Sequence, residues 1–285
     1  MIELSNGHSV WSKTVGDGSG LPLLLLHGGP GAGHDYLEPL EVLSSERPVI
    51  FYDQLGCGKS DKPSSKALWT IERFADEVQE VREALGLDRC HILGQSWGGW
   101  LGIEYVLRQP EGLASFVAAS TSASVREFSA NCDRLIAQMP EKHRDALHHY
   151  GARGEIEHED YVAAEEFFYS EHLCRLEKWP DCLGRTIENL DGNDVYYTMN
   201  GPNEFATIGN LRYWDRTADL DQIKVPVLIT CGRYDELGPT CAATLQDGIE
   251  NAQTVIFEES AHVAHIEEAE AYARCLSEFL KAHDS

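Results

Sequence analysis

The sequence predicts an α/β protein, a mostly parallel sheet with helices on both faces, interrupted once by a helical insertion. Short continuous apolar runs such as Leu23-Leu24-Leu25-Leu26 suit strands buried on both faces. Amphipathic stretches alternate with them, as parallel strands joined by crossover helices require. Between about Ser122 and Asp215 that alternation lapses, and the chain turns rich in Glu, His and aromatic residues.

Taken in order, Leu23–Leu26 is ended by Gly28-Gly29-Pro30-Gly31, and Val49-Ile50-Phe51-Tyr52 is closed by Asp53 and the glycines at 56 and 58. From Thr70 to Leu85, Ile71, Phe74, Val78, Val81 and Leu85 step by three and four, which predicts a helix that Gly86 stops. His91-Ile92-Leu93 reads as a strand, and the residues after Ser96 to about Arg108 as a helix ending before Pro110. Phe116-Val117-Ala118-Ala119 is the next strand. The central stretch reads as several short helices, Tyr161–Phe168 among them, and lacks the low complexity of a linker. Val225–Cys231 and Thr254–Phe257 then resume the strands, and Glu267 to Ala282 closes the chain as a helix. The expected organisation is a core from 1 to 121, a helical cap from 122 to 215, and the rest of the core from 216 to 285.

A length of 285 residues suits one large α/β domain or a core with an inserted subdomain. The 23 Lys and Arg against 47 Asp and Glu leave a net charge of -24. Such a field repels phosphate backbones and anionic lipid heads, so neither nucleic acid nor a membrane is expected as a partner. The eight cysteines are scattered without a C-x-x-C pair, as buried free thiols of a reducing compartment would be. No basic-then-apolar leader opens the chain, and the longest apolar run, Leu21 to Leu26, is far too short to span a bilayer. A cytoplasmic location is expected.

Gly94-Gln95-Ser96-Trp97-Gly98 fits G-x-S-x-G between a strand and a helix. A nucleophile on that tight turn has its oxygen exposed, and the flanking glycines relieve the crowding. A serine hydroxyl near neutral pH needs a base, and the base needs an orienting carboxylate. Asp235 follows the strong strand that ends at Cys231, and His262 follows the last strand, giving the order Ser, Asp, His of the α/β-hydrolase fold. His265, three residues on, is the competing base. The glycine-rich turn after Leu26 can aim the Gly29 amide at a developing oxyanion, with the Trp97 amide as second donor. The glycines match neither a phosphate loop nor a dinucleotide fingerprint. Histidines 143, 148, 149, 158 and 172 lack a metal-binding spacing, and no metal or other cofactor is expected.

Taken jointly, His27-Gly28-Gly29-Pro30-Gly31, Asp53-Gln54-Leu55-Gly56-Cys57-Gly58, Gly94-Gln95-Ser96-Trp97-Gly98-Gly99 and the Asp235 and His262 loops resemble the proline iminopeptidase family of α/β-hydrolases over essentially the whole chain. That group includes prolyl aminopeptidases, tricorn-associated aminopeptidases and L-amino acid amidases. The resemblance implies a capped pocket for a free N-terminal amino acid, hence a small peptide or amino-acid amide as substrate. It also implies two carboxylates for the ammonium group: Glu204, in Met199-Asn200-Gly201-Pro202-Asn203-Glu204-Phe205, and Glu236, after the triad aspartate. Taken alone, either glutamate reads as a solvated surface residue. Leu55 stands where prolyl iminopeptidases often carry Arg, which extends the expectation to other apolar residues and amides. Trp100, Trp179 and Tyr234 are candidates for an apolar wall. An esterase or lactonase with the same triad, and a hydrolase-fold ligand receptor without turnover, remain as alternatives.

Overall fold

The computed structural model describes residues 1–285. A two-stranded antiparallel ribbon, β1 (Ile2–Glu3) and β2 (Ser9–Val10), precedes the main sheet. That sheet has seven strands: β3 (Ser12–Val15), β4 (Leu23–Leu26), β5 (Val49–Tyr52), β6 (Cys90–Gln95), β7 (Leu113–Ala119), β8 (Val227–Gly232) and β9 (Ala252–Phe257), in the order β3-β5-β4-β6-β7-β8-β9. Only β3 runs antiparallel to its neighbour. Each leucine of β4 is at most 1% exposed, and burying such a side chain contributes about 2 kcal/mol.

Helices cover both faces. α1 (Ile71–Ala84) starts where the Thr70 side chain accepts from the Arg73 amide, and it buries the predicted face through Ile71, Phe74, Val78 and Val81. α2 (Trp97–Val106) follows β6 without a spacer beyond Ser96 and is buried along its whole length. Between β7 and β8 lie five helices: α3 (Val125–Gln138), α4 (Glu141–Gly151), α5 (Glu159–His172), α6 (Asp181–Leu190) and α7 (Asp194–Met199). α8 (Gly238–Gly248) lies between β8 and β9.

The closing helix expected from Glu267 is two helices, α9 (Ala264–Glu267) and α10 (Ala269–Ala282), separated at Glu268. The break has a use. Glu267 and Glu268 turn back on the loop after β9, where Glu267 accepts from the Ala261 amide (2.9 Å) and Glu268 from the Glu259 amide (3.1 Å) and the Ser260 hydroxyl (2.6 Å). The loop that presents His262 is thus held by two carboxylates. At the opposite end of the sheet, Asp284 accepts from Arg47 (2.8 and 3.1 Å), His91 (3.0 Å) and the Leu21 amide (3.0 Å), which partners an arginine with no exposure of its own. No helix is long and apolar enough to cross a membrane.

Candidate active site

Ser96 has φ 58° and ψ -124°, a strained conformation that costs about 1–3 kcal/mol. The turn is held from three sides: the Ser96 amide donates to Ala119, and its carbonyl accepts from the Gly99 amide (2.8 Å) and the Thr121 hydroxyl (2.9 Å). The flanking glycines have a steric reason. A methyl at Gly98 would run into the Leu26 carbonyl, and one at Gly94 into the Gly98 carbonyl. Strand β6 and helix α2 can therefore meet this closely only if both positions lack a side chain.

Asp235 and His262 lie on the loops after β8 and β9. His262 Nδ1 is 2.8 Å from Asp235 Oδ1, which also accepts from the Leu237 amide (3.0 Å). When the imidazole is neutral, this contact keeps the proton on Nδ1 and leaves Nε2 free of Asp235. Ser96 and His262 line one cavity of about 490 Å³. The amides of Gly29 and Trp97 donate to no acceptor in the surrounding loops, and Trp97, first residue of α2, has none within its helix. His265 is bound elsewhere, its Nε2 3.0 Å from the Tyr36 carbonyl, and burial lowers its pKa to about 4.

Glu204 lines the same cavity and accepts from the Tyr196 hydroxyl at 2.9 Å. Glu236 corrects the surface reading of its residue type: it is wholly buried, and neither carboxylate oxygen has a hydrogen-bond partner. It lies outside the cavity lining, with Oε1 3.9 Å from His262 Nε2. The Asn131 amide group fixes its backbone by donating to the Glu236 carbonyl at 2.5 Å. Burial raises the Glu236 pKa well above 4.5, and the Glu204 and Asp235 charges add to the rise while His262 opposes it. Burial would lower the His262 pKa, but the Asp235 contact, with Glu236 and Glu204 beyond it, raises it to about 9. Burial thus favours the neutral form of Glu236, and the surrounding carboxylates favour the protonated form of His262.

Trp100, Trp179 and Tyr234 do not line the cavity. Trp100 packs against Trp97, Phe128 and Trp214 in the core; Trp179 donates to the Cys174 carbonyl; Tyr234 lies under the Arg175 guanidinium at 3.8 Å. The aromatic wall is made instead by Tyr36, Tyr169, Tyr196 and Tyr197, with Leu173 and Leu183 beside them. Glu165 also lines the cavity, and no Lys or Arg does. The one compact group of metal-ligand side chains, His34, Asp35 and Glu38, is already engaged: His34 Nδ1 with Asp53, both carboxylates with Arg185.

Two buried side-chain amides tie the site together, and neither is singled out by sequence reasoning. The Tyr36 hydroxyl accepts from the Gly28 amide (2.8 Å) and donates to Gln95 Oε1 (2.6 Å), while Gln95 Nε2 donates to the His262 carbonyl (3.0 Å). On the other side, Gln54 Oε1 accepts from the Trp97 indole (2.8 Å), and its Nε2 donates to the His27 carbonyl (2.9 Å). Both glutamines stand inside the sequence motifs; only their pairing across the fold is invisible there.

A family model described as alpha/beta hydrolase fold matches residues 22–269. The chain is 37% identical to the proline iminopeptidase of Heyndrickxia coagulans, over 99% of this chain and 98% of that one. It is 40% identical to that of Saccharolobus solfataricus, over 92% and 86%. The crystal structure of the proline iminopeptidase of Mycobacterium smegmatis superposes with a TM-score of 0.92 at 37% identity, covering 97% of this chain and 96% of that one.

Proposed function

The chain belongs to the proline iminopeptidase family of α/β hydrolases, and from that membership we propose that it releases an N-terminal amino acid, proline or another apolar residue, from small peptides or amino-acid amides. The observation that carries this reading is the negative charge at and beside the cavity: Glu204, Glu165, Glu188 and Asp191 line its wall without a Lys or Arg, and Glu236 lies outside the lining, 3.9 Å from His262 Nε2. An α-ammonium group leaving water needs both compensating charge and hydrogen bonds, which Glu204 and Glu236 can supply. A blocked amine cannot use them.

In the proposed reaction Ser96 attacks the carbonyl of the terminal residue as His262 Nε2 takes the hydroxyl proton. Asp235 keeps the imidazole oriented and stabilises it once protonated. The Gly29 and Trp97 amides, free of other acceptors, receive the oxyanion. His262 returns the proton to the leaving amine, and water then attacks the acyl-enzyme by the same relay. Helices α3–α7 and the segment after α7 act as the cap, with Tyr169, Tyr196 and Glu204 at its inner face. All eight cysteines are free thiols, which supports a reducing, cytoplasmic setting.

Free and N-acetylated arylamides of proline, alanine, leucine and phenylalanine test the reading, with Ser96→Ala as blank. Only the free set should be cleaved, and Ser96→Ala should lose about 10⁴-fold or more in kcat. Equal cleavage of both sets would replace the proposal with an esterase-like hydrolase indifferent to the amine.

A further inference from the structure

Glu236 does more than its proposed share of amine binding requires. It faces the nitrogen of His262 that must be unprotonated for Ser96 to react, at 3.9 Å, and both its oxygens are buried without a partner. A carboxylate so placed favours the protonated imidazole, the form that cannot take the serine proton. Resting on the reading that Glu204 and Glu236 receive the substrate's ammonium group, we propose that Glu236 also arms the base. In the free enzyme its charge keeps His262 Nε2 protonated, and the arriving ammonium takes over that charge and sends the proton to solvent.

The exchange balances. One cation enters the site and one proton leaves to water; no other bond is made or broken, and the charge enclosed by the protein is unchanged. His262 is left neutral, with its Nε2 lone pair open. The groups facing the imidazole are Asp235 and Glu236 from the loop after β8, Glu204 from the segment after α7, and His265 from α9, which burial keeps neutral. Glu267 and His172 bear on it through Asp235, the one held by the Ala261 amide and the other by the Tyr234 carbonyl. Of these only Glu236 lies against Nε2 itself. The Glu236 charge is among those that raise the His262 pKa, after that of Asp235.

The consequence is selectivity in the chemical step as well as in binding. A substrate without an amine meets a base that is mostly protonated at neutral pH; a free-amine substrate makes its own base. Catalytic efficiency then tracks the fraction of neutral imidazole, which changes tenfold per pH unit below its pKa.

The test is the pH dependence of kcat/KM for p-nitrophenyl acetate, corrected with Ser96→Ala, in the wild type and in Glu236→Gln. The wild-type acid limb should lie above pH 8. Glu236→Gln should move it down by about one unit or more and raise ester hydrolysis at pH 7 about tenfold, while free-amine arylamide hydrolysis falls. Loss on the arylamide with an unmoved ester limb would overturn the arming role and leave amine recognition intact. An unaltered arylamide rate would overturn the recognition on which the proposal rests. Should Glu236→Gln not fold, the wild type decides alone. Its kcat for a free-amine arylamide, which reports the bound state, should have an acid limb at least one unit below the ester limb, and coincident limbs would overturn the proposal.

Discussion

Replacing Glu77 by Gln should stabilise the protein, and increasingly so as pH rises. Glu77 projects from α1 with no exposed surface. Its Oε1 accepts from the Leu55 amide at 3.1 Å, and its Oε2 has no partner. Burial raises its pKa from 4.5 to about 8, against the opposing effects of the Leu55 amide and the Arg73 charge. In the unfolded chain the group ionises near its ordinary value; in the folded protein it keeps its proton until about pH 8. The native state therefore binds the proton more tightly, so its stabilising contribution is complete below the unfolded pKa and is lost as pH climbs through the folded one. At about 1.4 kcal/mol per pH unit, the loss between pH 5 and 8 reaches about 3–4 kcal/mol. Gln cannot ionise, yet its carbonyl can take the Leu55 amide as the carboxyl did. Urea unfolding followed by tryptophan fluorescence between pH 5 and 8.5 should show Glu77→Gln near the wild type at the acid end and about 3 kcal/mol more stable at pH 8. A stability difference that does not vary with pH would refute the reasoning.

Two further variants probe the two ends of the sheet. Glu204→Gln should lower kcat/KM on free-amine arylamides about 10- to 100-fold, the worth of a charge-assisted hydrogen bond, and leave aryl-ester hydrolysis within about twofold. Asp284→Asn takes the counter-charge from buried Arg47. Burial alone would raise the Asp284 pKa, but Arg47 and His91 hold it at about 2. Its contribution is therefore present above the unfolded pKa and lost as pH falls through about 2. The variant should be about 2 kcal/mol less stable than the wild type at pH 7 in urea titrations, with the gap narrowing below pH 4.

The strands legible in the sequence are those buried on both faces, because continuous apolar runs as short as β4 and β5 suit few structures besides a central strand. Strand β3, Ser12-Lys13-Thr14-Val15, gives no such signal: it sits at the sheet edge, largely exposed, and takes its structure from the Tyr52-to-Val49 partner it runs against. Helix α8 escapes for a different reason, since it begins on Gly238-Pro239 and carries small residues that pack without declaring a face. In the site, motif spacing singles out Ser96, Gly29, Asp235 and His262 as candidates. It cannot reveal Tyr36, whose two polar contacts reach Gly28 and Gln95, nor that Glu236 is buried while its neighbour Tyr234 is 39% exposed. Burial of a loop acid is decided by what packs over it, here α3 through Asn131.

Gln95, one residue before the proposed nucleophile, bonds to the His262 carbonyl across 167 positions of chain, with the whole helical insertion between them. During synthesis the serine turn can form its local structure long before its partner exists. At about 5–20 residues per second the ribosome needs roughly ten to thirty seconds to supply the missing half. Throughout that interval, and in any fragment cut or stalled before β9, Ser96 has neither its proposed base nor an oriented acid. A peptidase whose proposed base arrives this late is silent in any form of itself that stops before His262.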